Sequence, residues 1–69
     1  MTLGDRIQAR RVQLGLSQTR LAEMANVSRD TITDLEKGHR HTVSSADLRG
    51  LARALSITLE QLVHRQVAA

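Results

Sequence analysis

The sequence predicts an all-α protein, a compact five-helix bundle built around a helix-turn-helix. Three observations point there. The 69 residues contain no Pro and only four Gly, too few breakers for a turn-rich β fold. There is also no Phe, Tyr, Trp or Cys. The core must therefore be Leu, Ile, Val, Ala and Met, and neither disulfides nor thiolate metal ligation can contribute. Finally, a Ser or Thr recurs with an apolar residue just before it and another four places after it. Leu16 and Leu21 flank Ser17, Val27 and Ile32 flank Ser28, Val43 and Leu48 flank Ser44, and Ile57 and Leu62 flank Thr58. That is the hydrophobic staple of a helix start, written four times.

The first helix opens at Thr2, with Asp5 at N3 completing a capping box, and Gly15 stops it. Leu3, Ile7, Val12 and Leu14 supply its apolar positions. Gly4 in its first turn is a weak point, worth about 1 kcal/mol relative to Ala. The second helix runs from Ser17 to about Met24, with Leu21, Ala22 and Ala25 on its buried side. Ala25 and Asn26 make a short break. Ser28 caps the third helix, Arg29 to Lys37, which Gly38 ends. Asp30 near its start and Lys37 near its end both suit the helix dipole. His39 to Val43 is a polar loop. Ser44 then caps a fourth helix running to about Leu55, which buries Leu48, Leu51, Ala52 and Leu55; Gly50 sits inside it at some cost in propensity and leaves room for a close helix contact. Asp47 at N3 makes a second capping box at Ser44, and Thr58 caps the fifth helix, with Gln61 at N3 as a third box partner. The apolar stripe Leu59, Leu62, Val63 and Val67 is wider than one small core needs.

Sixty-nine residues suit one domain, residues 1–69. The net charge is +3, with nine Arg and one Lys. Such a balance permits a polyanionic partner without demanding one. No apolar run approaches the roughly 20 residues that span a membrane, and the N-terminus lacks the apolar segment of a signal peptide. A cytoplasmic, nucleoid-associated protein without a membrane partner is the expectation. The sequence offers no nucleophile–base pair, phosphate-cradling Gly loop or metal cluster, so an enzyme is not expected and no cofactor is implied. His39 and His41 form an HxH pair, which without a third ligand is not read as a metal site.

At 100° per residue, Ile32 and Leu35 set the buried direction of the third helix. Asp30, Thr33, Asp34 and Lys37 point away, with Arg29 on the flank. A solvated face is the plain alternative. A polar helix following another by a short turn is also the layout that enters a DNA major groove.

The stretch LSQTRLAEMANVSRDTITDLEKG, residues 16–38, resembles the helix-turn-helix of the phage-repressor and Cro family, also called XRE. The likeness runs from IQARRVQLGLSQ through LARALSITLEQL. Arg11, the LSQ, Leu21-Ala22, Val27-Ser28, Ile32, Glu36 and Gly38 match. Asn26 stands where the family usually has Gly in the turn, and the Pro often found after the third helix is missing. The resemblance implies a lambda-repressor-like fold and a sequence-specific DNA-binding transcriptional regulator, here expected to repress. Such a protein binds an inverted-repeat operator as a homodimer.

The same resemblance assigns residues. Gln18 contacts a phosphate and braces the start of the recognition helix; its alternative is an exposed Gln in a first turn. Arg29, Asp30, Thr31, Thr33 and Asp34 are base-reading candidates: Arg suits guanine, the Thr methyl suits thymine, and Asp accepts from cytosine. Asp30 can equally be a dipole-stabilising residue. Lys37, His39 and Arg40 supply backbone contacts, or are ordinary surface charge. Arg11 and Glu36 are implied to form a largely buried ion pair. Leu59 and Leu62 are expected in the core, and Leu59, Val63 and Val67 are implied to extend into a two-fold contact, with a frayed tail as the plain alternative. The two carboxylates on the third helix keep a rival open, a protein-interaction module of the same fold, an antitoxin or adaptor, that uses its surface for a protein partner.

Overall fold

Hydroxyl side chains start the helices where the staples place them. The computed structural model describes residues 2–63. Its helices are α1 Leu3–Gln13, α2 Gln18–Ala25, α3 Arg29–Lys37, α4 Ser45–Ala54 and α5 Leu59–Val63, and no strand occurs among the described residues. Thr2, Ser17, Ser28, Ser44 and Thr58 each accept a hydrogen bond from the backbone N–H three residues on, at 2.9–3.1 Å. Each satisfies one of the first-turn donors that the helix itself leaves open. At Thr2 and Thr58 the bond is reciprocal, with Asp5 and Gln61 accepting from the cap's own N–H. At Ser44 only half of the expected box forms: the hydroxyl accepts from the Asp47 N–H, without the return bond from the Ser44 N–H to the Asp47 carboxylate.

Three of the four connections are one turn repeated. Gly15-Leu16-Ser17, Asn26-Val27-Ser28 and Ser56-Ile57-Thr58 each begin with a left-handed residue, at φ 72°, 59° and 58°. In each, the first N–H donates to the carbonyl three residues back and the second to the carbonyl five back. That pair of bonds closes a helix in the Schellman manner. The middle residue, Leu16, Val27 or Ile57, lies half-buried on the core, so one apolar side chain both ends a helix and staples the next. The fourth connection opens with the same closure at Gly38, φ 83°. There the middle position is His39, not an apolar residue, and the chain stays exposed until Val43.

The core holds Ile7, Leu21, Ile32, Leu35, Leu51, Leu55 and Leu62, all essentially inaccessible. α1 packs on α3, α2 on both α3 and α4, and α5 on α1 and α4. Two glycines allow the closest approaches. A Cβ at Gly4 would fall on the carbonyl oxygen of Leu35 near the end of α3, and one at Gly50 on that of Ala25 at the end of α2. Gly4 is therefore not the weak point expected from helix propensity: the lost propensity is the condition for α1 and α3 to touch through backbone. Val12 and Leu14, expected as apolar positions of the first helix, are 62% and 40% exposed. Val12 is turned about 140° round α1 from Ile7, and Leu14, on nearly the same side as Ile7, is the cap residue just past the end of the helix. No described helix is long and apolar enough to cross a membrane.

Candidate nucleic-acid interface

α2 and α3 meet through a three-residue turn, and Ile32 and Leu35 anchor α3 from behind at 0% and 1% exposure. The front is left to polar side chains. Arg29, Asp30 and Lys37 are exposed, Thr33 and Asp34 half-buried. His39, Arg40 and His41 lie exposed just past the end of α3.

Thr31 departs from the base-reading role expected for it. It is 9% exposed, and its hydroxyl lies 2.9 Å from the Ser28 hydroxyl while accepting from Arg40 Nη1 at 3.2 Å. One residue before Ile32, it turns toward the protein because α3 packs there, and it acts as a rest for Arg40. That contact draws the Arg40 guanidinium back along α3 from the loop beyond it.

Gln18 stands at the first position of α2 and reaches α3 twice. Its Nε2 donates to Glu36 Oε1 at 3.0 Å, and its Oε1 accepts from the Thr33 hydroxyl at 3.1 Å. The residue it braces is thus Thr33, in the middle of α3, rather than Arg29 at its start as the resemblance implies. The reason is reach: Thr33 and Glu36 lie one turn apart on the same side of the helix, toward α2.

Glu36 is the hub. Arg11 donates to it in a two-pronged arrangement, Nε to Oε2 at 2.8 Å and Nη2 to Oε1 at 2.9 Å. The Arg11 Nη1 donates to the Leu16 carbonyl at 2.8 Å. Their side chains are only 13% and 3% exposed. The hydrogen bond to Glu36 raises the Arg11 pKa above its ordinary value, against the opposing effect of burial. The pair fastens α1 to the last turn of α3, and through Gln18 it also fixes the start of α2. Among the described residues every buried side-chain nitrogen and oxygen has a partner.

On α5, Leu59 and Val63 are each 41% exposed. Among the described residues of that stripe Leu62 enters the core but Leu59, expected there too, does not, because it stands at the first position of α5; Val67 lies outside the described residues. No described group of three or more His, Asp or Glu is placed to hold a metal ion.

The links from Gln18 to Thr33 and Glu36 are invisible as a motif, since residues 15 and 18 apart carry no local period. The bond from Arg10 Nε to the Leu55 carbonyl, 2.9 Å, is equally hidden. Gly4 did leave a signal: a glycine where propensity disfavours one.

A helix-turn-helix family model matches residues 7–62. The immunity repressor protein of Bacillus phage phi105 is 41% identical over 63 residues, which is 91% of this chain and 43% of the phage protein. The chain thus spans less than half the length of that relative. Among solved structures, the crystal structure of the P22 c2 repressor protein in complex with synthetic operator 9T, in the presence of Tl+, is similar. It superimposes with a TM-score of 0.84 at 30% identity, over 93% of this chain and 96% of that one.

Proposed function

The chain belongs to the phage-repressor/Cro, XRE-type helix-turn-helix family, and on that footing we propose that it is a sequence-specific DNA-binding transcriptional repressor. One observation carries the reading: a helix whose outward face is wholly polar, held from behind by Ile32 and Leu35, at the end of a three-residue turn. Arg29, Asp30, Thr33 and Asp34 face the base edges. Gln18, Lys37, His39, Arg40 and the open N–H groups at the starts of α2 and α3 meet phosphates. Recognition of an inverted repeat places two copies of α3 in successive major grooves, about 34 Å apart. The half-exposed Leu59 and Val63 on α5 supply the contact between the copies.

Asp30 and Asp34 favour a second reading, in which the same face docks a protein, because carboxylates repel phosphate. A salt titration with generic duplex DNA separates the two. A DNA binder weakens steeply as salt rises, through release of counterions. Absence of binding even at about 50 mM salt would transfer the assignment to the protein-docking module. Light scattering at high concentration tests the pair of copies, and a strictly monomeric mass would refute it.

A further inference from the structure

We propose that Thr33 reads its base as a hydrogen-bond acceptor only, because Gln18 takes its hydroxyl proton, so that this position selects adenine or cytosine on the strand it faces. The inference rests on the DNA-binding reading above and deepens it to one side chain.

The polarity follows from the hub. Glu36 is a carboxylate, which only accepts, and it already holds two N–H groups of Arg11. The end of the Gln18 amide that approaches it must be Nε2, and does so at 3.0 Å. That leaves Oε1 toward Thr33. A carbonyl oxygen has no proton to give, so the Thr33 hydroxyl donates across the 3.1 Å contact. A hydroxyl has one proton. Once it is spent, Thr33 offers the groove only its oxygen lone pairs.

A threonine hydroxyl without such a tie pairs with either class of base edge, since it turns to donate or accept. In the major groove the exocyclic amines of adenine and cytosine donate, whereas guanine O6 and thymine O4 accept. An acceptor-only Thr33 therefore excludes guanine and thymine on its strand, by confronting their lone pairs with its own. Gln18 is the positioning residue, and the Arg11–Glu36 pair in turn fixes the orientation of Gln18. Specificity at one base is set three side chains away, by an ion pair that never meets DNA.

Selection of bound sites from random duplex DNA, with the wild-type chain and three variants, tests this. In the wild type, one position of each half-site enriches adenine or cytosine. Thr33→Val, of nearly the same shape but without the oxygen, flattens that position alone and lowers affinity for the wild-type site roughly three- to tenfold. Thr33→Ser keeps the preference. Gln18→Ala opens the position to guanine and thymine while weakening binding to all sequences alike. Melting curves accompany each variant; should Thr33→Val fail to fold, Thr33→Ala takes its place. An unchanged profile in Thr33→Val overturns the proposal, as does an adenine-or-cytosine restriction that survives Gln18→Ala. If the wild type enriches no site and shows no salt-dependent binding, the DNA reading itself fails, and the proposal fails with it.

Discussion

Replacing Gly4 by Ala should destabilise the protein, although helix propensity says the opposite. In an ordinary helix interior Ala is better than Gly by about 1 kcal/mol. Here the new methyl would sit on the Leu35 carbonyl oxygen and only 3.2 Å from the Glu36 nitrogen. Its neighbour is backbone, with no side-chain rotamer to yield, so α1 and α3 must move apart. Overpacking of a tight core costs about 1–3 kcal/mol, and an overlap with main chain belongs at the upper end. Subtracting the propensity gain leaves a net loss of about 2 kcal/mol. For a domain of this size that lowers the melting temperature by roughly 8–16 °C. Ile7 and Leu35, at 0% and 1% exposure, carry the strain into the core. Thermal unfolding followed by circular dichroism gives the answer. A melting temperature equal to or above wild type would show that α1 does not lie against the end of α3. Gly50→Ala is the parallel case, against the Ala25 carbonyl.

Glu36→Ala leaves the nearly buried Arg11 guanidinium without its carboxylate and should cost about 3–5 kcal/mol, a large share of a small domain's stability. Glu36→Gln keeps the shape but must turn an N–H toward another donor, and falls between; chemical denaturation of the three proteins ranks them. Ser56→Gly relieves a left-handed serine, φ 58°, and should raise stability by about 0.5–1 kcal/mol, visible as a higher denaturation midpoint with unchanged slope. Asp5 is held below the usual carboxylate range, chiefly by its hydrogen bond with the Thr2 backbone. A depressed folded-state pKa adds stability above the ordinary carboxylate range that is lost as pH falls through it. Between about pH 5 and pH 3, wild type should therefore lose slightly more stability than Asp5→Asn, and equal slopes would refute that.

The helix starts were legible because their signals are local. A hydroxyl cap, an apolar residue before it and another four after it occupy six consecutive positions. Those same residues cap and staple the helices in three dimensions. Ile32 and Leu35 could be placed inside for the same reason, since three residues on a helix return to nearly the same side. Thr31 could not. At 100° from Ile32 it lies on the boundary of the face, and it is the packing of α3 that turns it inward, where its hydroxyl meets Ser28 and Arg40, the latter nine residues away. Val12 read as core because its residue type is apolar, yet the surface of α1 that meets α3 is set by Gly4 and Ile7. The bond from Gln18 to Thr33 joins two helices across a turn, and only the fold brings those residues together.

The three repeated turns also explain which surface remains for recognition. Each sinks its middle residue into the core and thereby ties two helices at fixed angles. The fourth connection puts His39 at that place, and no apolar anchor returns until Val43. The loop stays on the surface with His39, Arg40 and His41, beside the end of the very helix that presents the polar face. Under the DNA reading this arrangement has an energetic consequence. The chain carries a net charge of only +3, and Asp30 and Asp34 stand on the recognition side itself. The carboxylates subtract from the attraction of the neighbouring Arg and Lys for phosphates, so binding to generic DNA is weaker than those cations alone would give, but still measurable at low salt. In the proposed pairing of two copies through Leu59 and Val63, two weak engagements would become one with high effective concentration. In that proposed pair Asp30 and Asp34, costly for a single copy, would act once at each half-site and so penalise a mismatched operator twice.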